Sequence, residues 1–194
     1  PGFLSKDGLT AAEMGTTLHA FLEHADFATL AAAKASGTLD EAICAERDRQ
    51  VAVQLTPPEI AEKLDVRRIR RFAESDAFAR ICAADAVLRE LAFITALPAS
   101  AVLAAQGSAA PEGEAAKASV LVQGIADIVL VFPDHLELLD YKTDRRKTEA
   151  DFLAAYRAQL NLYALAIDKR FAPKKVTYKG IYSLELGTLI EVKG

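Results

Sequence analysis

The 194-residue sequence is 52% hydrophobic and carries a formal net charge of −4. This supports a real core in one domain, or in one domain with an appended subdomain. It offers no basic pI as an argument for nucleic-acid binding, although a local basic groove can sit on an acidic protein. Cys44 and Cys82 lie far apart in Ala-rich contexts without metal-ligand spacing, which excludes a zinc site or cluster built from them and reads as two buried free thiols in a reducing compartment. Neither a signal peptide nor a transmembrane run is present, so a cytoplasmic, membrane-free protein is expected. The chain starts at Pro1 rather than Met, and so reads as a piece of a longer protein. It has no Gly-x-x-x-x-Gly-Lys-[Ser/Thr] loop, and no ATP site is expected in it.

Residues 10–28 read as a helix, with Thr10 and Glu13 at capping-box spacing and Leu18, Phe21 and Leu22 on one face. A second helix is expected over 40–54. Thr56-Pro57-Pro58-Glu59 signals the start of a third, which carries Arg67, Arg68, Arg70 and Arg71 as a solvated face beside Asp65 and Glu74. Another covers about 75–85. The character then changes. Residues 88–96 read as a strand, and 106–119 as a polar loop with Gly and Pro. Two β-rich runs, 120–132 and 135–142, flank Pro133-Asp134 as a hairpin. A strong helix follows over 148–169, then strands over 176–184 and 189–192 around Gly187. The order is helices, then β-β-β-α-β-β. This gives an α/β or α+β core with a mixed sheet (87–194) behind an N-terminal helical part (1–86).

The hairpin carries the chemistry. A turn at Pro133-Asp134 sets Phe132 opposite His135, and the same register sets Asp127 opposite Asp140. Opposed residues have Cβ atoms about 4.5–5.5 Å apart, and like charges there repel. Lys142, two residues beyond Asp140, projects from the same face. A divalent cation would relieve the repulsion, because hard ions such as Mg²⁺ bind one or two carboxylates together with waters and phosphate oxygens. Lys142 beside it would orient the attacking water and stabilise charge on a phosphate. The bland reading is a surface salt bridge between Asp140 and Lys142 with Asp127 solvated. Slipping the turn by one residue would also send Asp127 to the other face. Against it, both acids sit inside apolar strands, where charges are usually paired or functional.

These residues resemble a known pattern. Gly124-Ile125-Ala126-Asp127, Asp140-Tyr141-Lys142-Thr143 and Gln159-Leu160-Asn161-Leu162-Tyr163 are similar to the PD-(D/E)xK nuclease superfamily, most of all to the C-terminal nuclease domain of AddA- and RecB-type recombination helicase–nucleases. Gly15-Thr16-x-x-His19 and Arg89-Glu90-Leu91-Ala92-Phe93 fit the same subfamily. The resemblance implies a restriction-endonuclease-like core, a mixed central sheet flanked by helices. It makes Asp127, Asp140, His19 and the Tyr141 carbonyl metal ligands for Mg²⁺, with Mn²⁺ as a substitute. It makes Lys142 the catalytic lysine, and places Gln159 and Tyr163 at the site. It implies a bacterial exonuclease acting in double-strand-break repair, an ATP-driven motor elsewhere in the parent, an emerging DNA single strand as substrate and a second nuclease subunit of AddB type.

Without the resemblance, His19 is an ordinary amphipathic-helix residue. Tyr156 and Tyr163 are core, with Gln159 sharing their face. Glu90 is either an acid supporting the site or a solvent-facing residue, and ranks below the others. His24 and His135 read as surface residues. Arg145, Arg146 and Lys147 are placed either to grip DNA phosphates or to form a solvated loop. Two other functions compete. One is a catalytically inactive DNA-binding or docking module of the same fold, and the presence of all three of Asp127, Asp140 and Lys142 argues against it. The other is a repair or restriction enzyme, and His19 with the Gln159–Tyr163 pair argues against that.

Overall fold

The computed structural model describes residues 11–109, 113 and 118–193, with the backbone alone at 11–14 and 16. The expected capping box at Thr10 and Glu13, and residues 110–112 and 114–117 of the expected loop, lie outside the described residues and side chains. Helices come first: α1 (Ala11–His24), α2 (Phe27–Ser36), α3 (Leu39–Ala52), α4 (Pro58–Ala61), α5 (Val66–Ala73) and α6 (Asp76–Ala83). Then follow β1 (Ala86–Pro98), α7 (Ala99–Ala105), β2 (Ser119–Val131), β3 (Leu136–Lys142), α8 (Glu149–Arg170), β4 (Val176–Ser183) and β5 (Thr188–Glu191).

Two expected helices are broken by aspartate caps. The run expected over 10–28 ends at His24. Asp26, in an extended conformation, accepts the N–H groups of Ala28 and Thr29 at 3.0 and 3.1 Å and opens α2. Such a side-chain acceptor satisfies donors that have no partner within the helix. The helix beginning after Thr56 likewise stops at Ala61, and Asp65 caps α5 through the Arg67 N–H at 3.1 Å. Helix α7, which follows Pro98, has no counterpart in the sequence reading.

Three of the four arginines of α5, Arg67, Arg70 and Arg71, are exposed, with Asp65 and Glu74 as neighbours, as expected, while Arg68 is half-buried. Arg67 is 92% exposed at its side chain. Arg70 pairs with Asp40, and more distantly with Glu74. Arg68 donates to the Leu184 carbonyl at 2.9 Å and to the Glu185 carboxylate at 2.7 Å. Arg71 donates to the carbonyls of Leu184 and Glu185. Planar guanidinium forks suit this multiple bonding, and here they hold the β4–β5 turn.

The strands form one sheet in the order β1-β2-β3-β4-β5. The pairs β1/β2 and β2/β3 are antiparallel. The Leu136 N–H donates to Lys175 at 2.8 Å and the Leu184 N–H to Lys142 at 2.9 Å. Partners that advance together mean that β3 and β4 run parallel, with α8 as the crossover such a pair needs. Bonds from Val192 to Lys179 and from Gly187 to Ser183 close β4 and β5 as a hairpin. The mixed sheet and the helices before it match the expected fold class.

The chain divides into two compact units. The first holds the residues up to Cys82, with Tyr141–Arg145 and Ser183–Thr188. Its core includes Leu18, Leu22, Leu30, Ile43 and Ile69, all essentially buried, and a cluster of rings from Phe27, Phe72 and Phe78 with centroids 5.6–6.2 Å apart. The second holds Ala83–Asp140, Arg146–Tyr182 and the chain from Leu189 onward. In it, α8 contributes Phe152, Leu160 and Ile167 to a core with Phe93, Val122, Ala126, Val129 and Leu138. Strand β3 is buried continuously from Leu136 to Tyr141, as expected of a strand covered on both faces.

Candidate active site

The register of two strand pairs sets the acids of the second unit. Between β2 and β3, Ile128 pairs with Leu139 and Val131 with Leu136. The next step of that register places Asp127 opposite Asp140, as the sequence reading expects. The tip is closed by a 3.0 Å bond from the Phe132 N–H to the His135 carbonyl, and the two rings stack with centroids 4.5 Å apart. Between β1 and β2, Arg89 pairs with Ile128 and Leu91 with Ala126, which leaves Glu90 opposite Asp127. Oxygens of the Glu90 and Asp127 carboxylates lie within 4.8 Å of each other. Three carboxylates thus occupy one level of three adjacent strands. Asp140 is buried at 3% exposure, while Glu90 and Asp127 are half-buried.

Glu90 has φ +46°, in the left-handed region, within an otherwise regular strand. A non-glycine residue held there costs about 1–3 kcal/mol, and such outliers cluster at functional sites. The surrounding pairs, fixed on both sides of Glu90, hold the backbone in place.

Three residues from this level, another close fit supports the strands. Phe93 pairs with Gly124 across β1 and β2. The Tyr163 ring, from α8, meets Phe93 edge to face at 4.9 Å. A Cβ at Gly124 would stand 2.8 Å from Phe93 Cζ and from Tyr163 Cζ and Oη. The glycine is therefore needed for α8 to lie this close to the sheet. Gln159 is half-buried one turn earlier on the same helix face.

In the first unit, α1 lies along the end of β3. Gly15 and His19 are one helical turn apart. A Cβ at Gly15 would come 2.9 Å from the Thr143 hydroxyl. The His19 ring stands edge-on to Tyr141 at 5.8 Å, and Tyr141 is in turn edge-on to Phe72 at 5.4 Å. The spacing of Gly15 and His19 thus matches alternate residues of the strand end, Thr143 and Tyr141. Lys142, between them, is half-buried and follows Asp140 by two residues.

A family model described as the PD-(D/E)XK nuclease superfamily matches residues 4–189. The chain belongs to that superfamily. Similar curated proteins are ATP-dependent helicase/nuclease subunits A. That of Heliobacterium modesticaldum is 35% identical over 198 residues, covering 96% of this chain and 13% of the relative. That of Bacillus mycoides is 35% identical over 178 residues, covering 87% and 13%. That of Bacillus cereus strain AH187 is 32% identical over 202 residues, covering 100% and 15%. The chain thus spans only 13–15% of the length of these relatives.

As a member of the superfamily, the chain has its restriction-endonuclease-like α/β core, a mixed sheet with helices. Of the residues singled out from sequence, His19, Tyr141, Lys142 and Arg145 fall in the first compact unit. Asp127, Asp140, Arg146, Lys147, Gln159 and Tyr163 fall in the second. The three cations after the superfamily's Asp-x-Lys strand take different settings. Arg145 and Arg146 are exposed, the latter with φ +58°. The Lys147 ammonium lies over the Tyr156 ring at 5.0 Å and near that of Phe152 at 5.8 Å.

Sequence reasoning ranked Glu90 low. The signal it lacked was the β1–β2 register. No tight turn joins those strands, because α7 and a long connection intervene, and a register without a turn cannot be counted from the sequence.

No helix among the described residues is long and apolar enough to cross a membrane.

Proposed function

We propose that this chain is a metal-dependent deoxyribonuclease domain that hydrolyses DNA phosphodiesters, of the exonuclease type. The observation that carries the reading is the row of Glu90, Asp127 and Asp140 on adjacent strands, with Lys142 two residues beyond Asp140 on the same face. The donor set fits a hard divalent cation: carboxylate oxygens of Glu90 and Asp127 within 4.8 Å of each other are the ligand type Mg²⁺ and Mn²⁺ take. Asp127, Asp140, His19 and the Tyr141 carbonyl would hold it, with Glu90 beside them. Such an ion supplies Lewis-acid stabilisation and a water of lowered pKa.

The remaining steps belong to the chain. The Lys142 ammonium donates a hydrogen bond to the attacking water and aligns it with phosphorus. As negative charge develops on the phosphate oxygens, the same cation stabilises it. Burial of Asp140 excludes bulk water from one side of the row, which strengthens these interactions. Tyr163 braces β1 and β2 at Phe93 and Gly124, three residues from the acids, and Gln159 shares its helix face. Arg145 and Arg146 meet the phosphates flanking the scissile one, a contact that carries no base specificity.

The relatives' name and their greater length support placing this domain in an ATP-dependent helicase–nuclease. Its motor would lie outside these residues, its substrate would be an emerging single strand, and an AddB-type subunit would be its partner in cytoplasmic double-strand-break repair. The test is cleavage of end-labelled single-stranded DNA with Mg²⁺, Mn²⁺ or EDTA, beside Lys142→Ala. Metal-dependent cutting that disappears in the variant supports the reading. Equal cutting by the variant, or cutting in EDTA, defeats it.

A further inference from the structure

A cavity of about 530 Å³ opens between α7 and α8, and no residue of the acid row lines it. Its wall is mostly apolar, with Ala104 of α7 and Leu153 and Ala154 of α8, and its polar side chains are Gln106, Arg157 and Asn161. Arg157 and Asn161 are one helical turn apart. They are two residues out of step with Gln159 and Tyr163, and so stand on the other side of the helix. A few polar groups converging on a mainly apolar hollow of this size are the usual form of a small-molecule site.

These polar groups are set for an anion. The Lys179 ammonium, from β4, donates to Asn161 Oδ1. That bond turns the amide so that its NH₂ group faces the Ala105 carbonyl at the cavity wall, 3.4 Å away. This is the long limit of a hydrogen bond, and the second N–H is left for a ligand. Arg157 is exposed and has no carboxylate partner among the described residues. Burial first, and the Arg157 charge next, push the Lys179 ammonium below its ordinary range, which Asp168 offsets only in part. The Asp168 carboxylate is already engaged, by the Val176 N–H at 2.7 Å and by Lys175 at 3.5 Å. Two cations thus face each other with one shared acid between them.

We infer that this cavity is a nucleotide-binding site separate from the acid row. The phosphate bonds to the Arg157 guanidinium and the Asn161 NH₂ group, and the base lies on the apolar wall at Leu153 and Ala154 with its edge at the Gln106 amide. A planar guanidinium meets phosphate oxygens through two parallel hydrogen bonds. Inorganic phosphate alone would leave the apolar wall bare, and an uncharged ligand would leave Arg157 without a counter-charge, so the occupant carries both parts. Lys179 is a positioning residue: it touches Asn161, and it fixes which end of that amide meets the ligand. The inference rests on the nuclease reading only for supply, since hydrolysis of DNA releases nucleotides at this domain.

The test is photolabelling of the full-length protein with 8-azido-2′-deoxyadenosine 5′-monophosphate in EDTA, with the labelled peptides mapped by mass spectrometry. The expected result is label on the peptides that carry Ala104 and Ala154, displaced by deoxyadenosine monophosphate and about tenfold less well by deoxyadenosine, which lacks the charge-assisted hydrogen bonds. Inorganic phosphate, which lacks the base, displaces it less well than the nucleotide. Arg157→Gln lowers this labelling by about tenfold, as the loss of such a bond requires. Lys179→Met lowers it too, and Lys179→Arg, which keeps a donor to Asn161, restores part of it. Arg157 is exposed, so its variant tests the site even where a change at Lys179 prevents folding. Absence of label on these peptides overturns the inference, and so does label that Arg157→Gln leaves unchanged. Equal displacement by inorganic phosphate and by the nucleotide overturns it as well, because the apolar wall then binds nothing. Labelling needs neither metal nor cleavage, so this inference and the nuclease reading fail separately.

Discussion

Glu90 stands opposite Asp127 across β1 and β2, and it does so with its backbone at φ +46°. The strand gives up local regularity at the one residue that brings a third carboxylate to the row of Asp127 and Asp140. If Glu90 helps to hold the ion, Glu90→Gln lowers cleavage by about 10–100-fold at limiting Mg²⁺ and by less at saturating metal. Glu90→Gly removes both the left-handed strain and the repulsion, so it raises thermal stability by about 1 kcal/mol while losing activity. Unchanged cleavage in both variants would return Glu90 to a structural role.

The repulsion between these carboxylates makes metal binding a stability effect. The unsubstituted protein is expected to melt at higher temperature with millimolar Mg²⁺ or Mn²⁺, by about 2.7 kcal/mol when the ion reaches 100 times its Kd. Asp127→Asn, which removes one of the opposed charges, is more stable than the unsubstituted protein in EDTA and responds little to the ion. Calorimetric scans with and without metal measure both. An equal metal response in the variant would show that the ion binds elsewhere.

Two of the three acids of the row were legible because a tight turn fixes a register. Phe132 and His135 close the β2–β3 hairpin, and counting outward from them reaches Asp127 and Asp140. Glu90 was not legible in the same way, because its strand returns through α7 and a long connection and offers nothing to count from. The spacing of Gly15 and His19 was visible as a motif, but its cause is tertiary: the Thr143 hydroxyl excludes a side chain at residue 15. The break at Asp26 was written locally, in an aspartate followed three residues later by Thr29. The periodicity of Leu18, Phe21 and Leu22 masked it. The exposure of Arg67, Arg70 and Arg71 was legible, but the partners of Arg68 and Arg71 were not, because the carbonyls of Leu184 and Glu185 lie far away in sequence.

The fit of Tyr163 over Gly124 predicts a measurable coupling. Gly124→Ala puts a methyl group 2.8 Å from Phe93 Cζ and the Tyr163 ring and is expected to destabilise by about 1–3 kcal/mol. In a Tyr163→Leu background the ring is gone and the same alanine costs less. The difference, a coupling of about 0.5–3 kcal/mol, can be read from urea melts of the four proteins. Strictly additive effects would mean that Tyr163 does not brace β2.

The cap at Asp26 predicts a pH-dependent contribution to the helical unit. The Thr29 hydroxyl first, then the backbone N–H groups of Thr29 and Ala28, hold the Asp26 carboxyl below its ordinary value. Its folded pKa is therefore lower than its unfolded one, near about 3.9. The carboxylate then stabilises the fold fully above the unfolded pKa, and loses that contribution as pH falls through the folded pKa. Asp26→Ala should cost about 1 kcal/mol at pH 7. The gap between the two proteins should narrow below about pH 4, where the unfolded carboxyl takes up its proton first. Paired denaturant melts from pH 7 down to pH 3 follow that gap. A gap that stays constant across the range would mean that α2 is held by the packing of Phe27 and Leu30 rather than by its cap.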